Sequence, residues 1–204
     1  MDNSNQPGSC LTIGQMMQYI SSQRHEFLNH LQVVMGLLQL NKLEEAVGYI
    51  KKTSENLQRA GLAARVPWPE LAAVLTLWDW QLRESGGCLS LSIAKSLGPI
   101  ARNPVETVKI VDQIYQLICS EMQNCGQVAG RRLQVEVFEQ RGDYGIRFSW
   151  EPPAGREMDK LAFIHHPVLE RARLLMPRVE MVEEENLLTL TVFFPGEATA
   201  EQGV

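Results

Sequence analysis

The sequence predicts an α+β protein in which an N-terminal helical hairpin, paired with a second copy into a dimeric four-helix bundle, precedes a two-layer domain of helices on a mostly antiparallel sheet. Two observations carry that class. Residues 12–40 hold no proline and repeat their apolar side chains at helical spacing. Beyond Arg65, helical runs mix with stretches that alternate apolar and polar residues. A chain of 204 residues with 45% hydrophobic content can bury one full core or two small ones.

The first helix follows from Ile13, Ile20, Phe27, Leu31, Val34 and Leu38, which share one stripe at about 100° per residue. Asn41 and Lys42 then permit a tight turn. Leu43, Ile50 and Leu57 recur at heptad intervals, so a second helix returns along the first. Two helices cannot enclose such stripes alone; a second copy of the hairpin is expected to supply the missing cover, the alternative being the protein's own C-terminal domain. Next, PELAAVLTLWDWQLRES reads as a helix opened by Pro69 and ended by Gly86-Gly87, ahead of the strand-like CLSLSI. Asn103-Pro104 opens another helix that closes at Cys125-Gly126. RLQVEVFEQ and YGIRFSW flank a hairpin signal at Arg141-Gly142-Asp143. HPVLERARLLM is helical, and RVEMVEE and LLTLTVFF form a last strand pair. The boundaries expected are a disordered tail over 1–11, the hairpin over 12–64, the α/β domain over 65–196 and a tail over 197–204.

Several function classes lose their footing on composition. A formal net charge of -5 leaves no clustered basic surface for nucleic acid or an anionic membrane. Cys10, Cys88, Cys119 and Cys125 show no C-x-x-C spacing, and MDNSNQPGSC lacks the order of a signal peptide. Free thiols in a reducing cytoplasm are therefore expected. No apolar run approaches the roughly 20 residues that span a bilayer. His165-His166 has no third ligand at metal spacing, so capping or surface exposure is expected there and no zinc site.

His25 is the candidate functional residue. With His25 at zero on the helical wheel, Ser22, Asn29, Gln32 and Gly36 lie within roughly 60° of it, while the apolar stripe centres roughly 140° away. A core histidine would sit among Leu and Val, so this ring is expected to face water, where the pattern alone favours an ordinary solvated surface histidine over a functional one. Its small polar neighbours leave room for a partner's surface, which makes Ser22, Gln32 and Gly36 the expected partner-binding positions. Neutral imidazole is a good nucleophile near neutral pH.

Arg24-His25-Glu26-Phe27-Leu28-Asn29-His30-Leu31-Gln32 resembles the phosphoacceptor box R-H-[DE]-x-x-N-x-L-Q of the sporulation initiation phosphotransferase B family and of the citrate/fumarate-type sensor histidine kinases. GLLQLNKLEEAVGYIKK resembles the turn and second helix of the same hairpin. The resemblance implies that His25 carries the phosphoryl group, that Glu26 orients or deprotonates its ring, and that Asn29 helps place the incoming group or a water. His30, roughly 140° around the helix toward the apolar flank, is not read as a second acceptor.

For the second domain the resemblance implies a histidine-kinase-like ATPase α/β sandwich in degenerate form. An Asn-rich helix should hold magnesium and phosphates, yet IVDQIYQLICSEMQNCG offers only Asn124. A D-x-G-x-G adenine loop should follow GIRFSW, where the chain has EPPAG, and proline removes backbone donors and fixes φ. Asp143-Tyr144-Gly145 lacks the second glycine and reads as turn chemistry. The combination implies a cytoplasmic phosphorelay phosphotransferase, of the sporulation type, that passes a phosphoryl group between aspartates of response-regulator receiver domains without binding ATP. It would need no cofactor of its own, with magnesium supplied by the receiver. Two alternatives stay open: a sensor histidine kinase or kinase fragment with a divergent nucleotide site, and a non-catalytic dimeric adaptor.

Overall fold

The computed structural model describes residues 13–95, 97, 104–124, 130–152, 160–184 and 187–195. Both expected tails, Cys10, Asn103, the Cys125-Gly126 stop, most of the EPPAG segment and the turn at Glu185-Asn186 lie outside the described residues. The described residues fall into two compact units that divide between Leu62 and Ala63. The molecule is α+β.

The first unit is the hairpin of α1 (Ile13–Gln39) and α2 (Leu43–Ala60). Its turn explains why Asn and Lys stand there. Asn41 adopts φ 55°, in the left-handed region that asparagine tolerates better than most residues. The N–H of Lys42 reaches the carbonyl of Leu37 at 2.9 Å, and that of Asn41 reaches Leu38 at 3.0 Å. This crossed pair satisfies carbonyls that the end of α1 would otherwise leave bare. Lys42 then starts α2 with its own carbonyl, accepting from Ala46 at 3.0 Å, while its ammonium meets Glu45 at 2.9 Å. Glu44 and Glu45 lie in the first turn of α2, where the helix dipole favours negative charge. Ala46 is buried, and its lack of bulk lets the two helices approach.

Much of the expected stripe is bare within one chain: Ile20, Phe27, Leu31 and Leu38 on α1 and Leu43, Val47, Ile50 and Leu57 on α2 are all exposed. Val34 differs, being half-buried. The side chain of Ile13 lies outside the described residues.

A short 3-10 turn, Gly61–Arg65, straddles the division, and the second unit continues as α3 (Pro69–Glu84), β1 (Cys88–Ile93), α4 (Pro104–Asn124), β2 (Arg132–Gln140), β3 (Asp143–Trp150), α5 (Lys160–Ile164), α6 (Pro167–Leu175), β4 (Arg178–Glu184) and β5 (Leu187–Pro195). The five strands form one sheet in the order β1-β2-β3-β5-β4. Only β1 and β2 run parallel; the other pairs are antiparallel. Alternation along the strands buries Leu133, Val135, Val137, Ile146, Phe148, Leu188, Leu190 and Val192 on one face. Helices supply the opposing layer: Trp78 of α3 lies 5.8 Å from Phe148 of β3, and stacks on Tyr115 of α4 at 4.4 Å. Trp68, just before α3, meets Tyr144 and Phe194 edge-on.

The β2–β3 turn falls on Arg141 and Gly142, both at positive φ, the backbone that joins twisted strands by two residues. Asp143-Tyr144-Gly145, expected in the turn, instead begins β3: Asp143 pairs with Gln140 and Gly145 with Phe138. Gly145 is needed within the strand, because a Cβ there would stand 2.4 Å from Cζ of Phe138. The turn reading failed because glycine beside aspartate looks the same whether it serves a turn or makes room for a ring.

Candidate functional site

The site is built on the middle of α1, three to four turns before its C-terminal end. His25, Glu26 and Asn29 are all exposed, as is Gln32, while Ser22 and Gly36 are half-buried. A helix of 27 residues supplies the rigidity that transfer chemistry needs, and i to i+4 spacing brings two of these side chains together. Nδ2 of Asn29 lies 3.1 Å from Nδ1 of His25. With the Asn29 amide donating, the lone pair on Nδ1 is occupied and the proton of a neutral ring sits on Nε2. Rotating the amide by half a turn presents its oxygen instead, which accepts from Nδ1–H and leaves the Nε2 lone pair free. Asn29 can thus select the tautomer.

Glu26 is not brought to His25. Its Oε1 lies 3.8 Å from Nε2 of His30, and its Oε2 accepts from Nε2 of Gln23 at 3.4 Å. His30 in turn meets the hydroxyl of Tyr49 on α2 through Nδ1, at 2.8 Å. Adjacent helical residues point about 100° apart, whereas i and i+4 differ by only about 40°, so Glu26 meets His30 more readily than His25. The Tyr49 contact escaped the sequence reading. Its signal was there in part, since His30 sits on the flank that must face the returning helix.

At Gly36 a Cβ would meet nothing within 4 Å, so the chain's own packing does not require glycine. Among the described residues no three His, Cys, Asp or Glu side chains gather to hold a metal ion, and no helix is long and apolar enough to cross a membrane. His166 caps α6, its Nδ1 accepting from the N–H of Val168 at 3.3 Å, and His165 lies exposed beside Glu170. In the second unit, burial raises the carboxyl of Asp112, which accepts from Nε1 of Trp78 at 2.8 Å. Burial also pushes the Cys119 thiol up to about 11. Both Cys88 and Cys119 are free thiols.

Residues 10–66 match the family described as sensor kinase SpoOB-type, alpha-helical domain. The match spans the hairpin. It contains His25, Glu26, Asn29 and both helices of the first unit. Over 125 residues, 60% of this chain, the sequence is 25% identical to the sensor histidine kinase DcuS of Escherichia coli strain K12. The chain spans 23% of the length of that kinase. The histidine kinase AdeS of Acinetobacter baumannii aligns with 85% of this chain and 98% of its own, at 11% identity and a TM-score of 0.44. The histidine kinase ThkA, in a crystal structure with the response regulator protein TrrA, aligns with 89% of this chain and 62% of its own, at 10% identity and a TM-score of 0.45. Over the hairpin the chain is thus similar to the SpoOB-type helical domain, and over 125 residues to a sensor histidine kinase.

Proposed function

We propose that this protein is a phosphorelay histidine phosphotransferase, taking a phosphoryl group from the aspartyl phosphate of one response-regulator receiver domain and passing it to the aspartate of another. The observation that carries the reading is an exposed His25, hydrogen-bonded one turn on to Asn29, within a SpoOB-type domain. In the step proposed, the Nε2 lone pair attacks phosphorus, the N–P bond forms, and the acyl phosphate P–O bond breaks with its electron pair left on the receiver carboxylate. The ring proton stays on Nδ1, facing the Asn29 amide turned oxygen-first, and the cationic ring is a good leaving group for onward transfer. No proton need leave the site.

Magnesium comes with the receiver in this reading, so the protein needs no cofactor of its own. Ser22, Gln32 and Gly36 form the surface on which a receiver lies, and the bare stripes of α1 and α2 pair two copies into the bundle. Nucleotide is not required: Asn124 is the one asparagine of α4, and Pro152 follows β3 almost at once with no N–H to offer. The similarity to DcuS, which runs well past the hairpin in length, favours a second reading as a kinase with a divergent nucleotide site.

Transfer between two receivers separates these readings. A trace amount of the protein should speed movement of label from a phosphorylated receiver to an unphosphorylated one, with no nucleotide present. Label taken from ATP, with no acceleration between receivers, would favour the kinase.

A further inference from the structure

Beside the phosphoacceptor runs a second line of polar contacts that joins the two helices of the hairpin. The Tyr49 hydroxyl of α2 lies 2.8 Å from Nδ1 of His30, with the two rings 5.7 Å apart. On the far side of the same ring, Nε2 faces Oε1 of Glu26 at 3.8 Å. One neutral tautomer serves both contacts: the hydroxyl donates to Nδ1, so the ring proton sits on Nε2 and points at the carboxylate. Gln23 donates to the other Glu26 oxygen at 3.4 Å. The carboxylate therefore lies between His30 and Gln23, and its contacts are with them and not with His25.

We propose that His30 and Tyr49 are positioning residues for Glu26, holding its carboxylate off His25 and so setting how often it reaches the phosphoacceptor ring. The inference rests on His25 being the phosphoacceptor. Beside Nδ1–H of His25, a carboxylate favours the tautomer whose Nε2 lone pair is free to attack, and it balances the positive ring once the N–P bond has formed. Held by His30, it does neither. The Glu26–His30 separation exceeds hydrogen-bond length, and both side chains are partly in water, 51% and 30% exposed. Such a contact is weak enough to exchange, which suits a resting position. Because Tyr49 belongs to α2, the second helix acts on the chemistry of the first through this line.

The test is the rate at which His25 takes label from a phosphorylated receiver. His30→Leu and Tyr49→Phe should both be faster than wild type, by about two- to fivefold, the range set by loss of one exposed pair. His30→Gln keeps an amide N–H for Glu26 and a carbonyl for the Tyr49 hydroxyl, and should return the rate toward wild type. In a Glu26→Gln background the gain from His30→Leu should vanish, which a merely structural role of His30 would not produce. Unchanged or slower uptake in Tyr49→Phe, a variant that keeps the ring and its packing, overturns the proposal, as does a gain that survives Glu26→Gln. A wild-type protein that takes no label, or a His25→Gln protein that does, overturns the phosphoacceptor reading and this proposal with it.

Discussion

At the scale of single residues, two positions in the sheet unit carry consequences that differ in kind. Gly145 lies under the Phe138 ring, which also meets Phe193 edge-on and has the Arg147 guanidinium 4.7 Å from its centre. Gly145→Ala forces that ring to move and should cost about 1–3 kcal/mol in denaturant unfolding. Adding Phe138→Ala removes the clash, so the two costs should fall short of their sum. Asp112 is an electrostatic case. Burial, opposed in part by hydrogen bonds from Trp78 and Gln116, holds its carboxyl above the ordinary 3.8. A carboxyl raised in the folded state contributes stability that is present below the ordinary value and lost as pH climbs through the folded one. Asp112→Asn keeps an oxygen for the Trp78 indole and never ionises. It should melt with the wild type near about pH 3 and above it near about pH 7, by thermal unfolding at both.

Among the elements, the hairpin was legible because it is written twice, once in a proline-free helical stripe and once in a heptad return. Only three residues, Leu40 to Lys42, join its helices. The strands of β2 and β3 were legible for a similar reason, since strict alternation and Arg141-Gly142 agree. Five-residue pieces were not: α5 and the turn at Gly61–Arg65 are too short to show a period. Nor does any local pattern in CLSLSI say that β1 lies parallel to β2, because that pairing is set by the crossover through α4. The offset of Asn29 from His25 could be read from helix geometry alone, whereas the partner of Glu26 depends on a rotamer and on a tyrosine from the other helix. Bare apolar stripes on α1 and α2 give this scale its prediction. Leu31 and Leu38 are 49% and 48% exposed in one chain, and carboxylates in their place would repel across a two-fold seam. Leu31→Glu with Leu38→Glu should sediment as a monomer where wild type sediments as a dimer; a wild-type monomer would remove the paired bundle.

For the whole molecule, the chemistry proposed asks little of the protein beyond presentation. A phosphoryl group moves between carboxylate and imidazole when the ring is exposed, held on a stiff element and given the right tautomer. In this proposal the middle of α1 supplies the first two and the Asn29 amide, turned oxygen-first, the third. The two compact units divide at Leu62, and the match to the SpoOB-type helical domain ends close to that division. The sheet unit keeps a core of its own, built on Trp78, Tyr115 and Phe148. Direct phosphorylation decides the matter. Incubated with a phosphorylated receiver domain and no ATP, the wild-type protein should acquire a label that acid removes and base does not, and the His25→Gln protein should acquire none. Equal labelling of the two would contradict it.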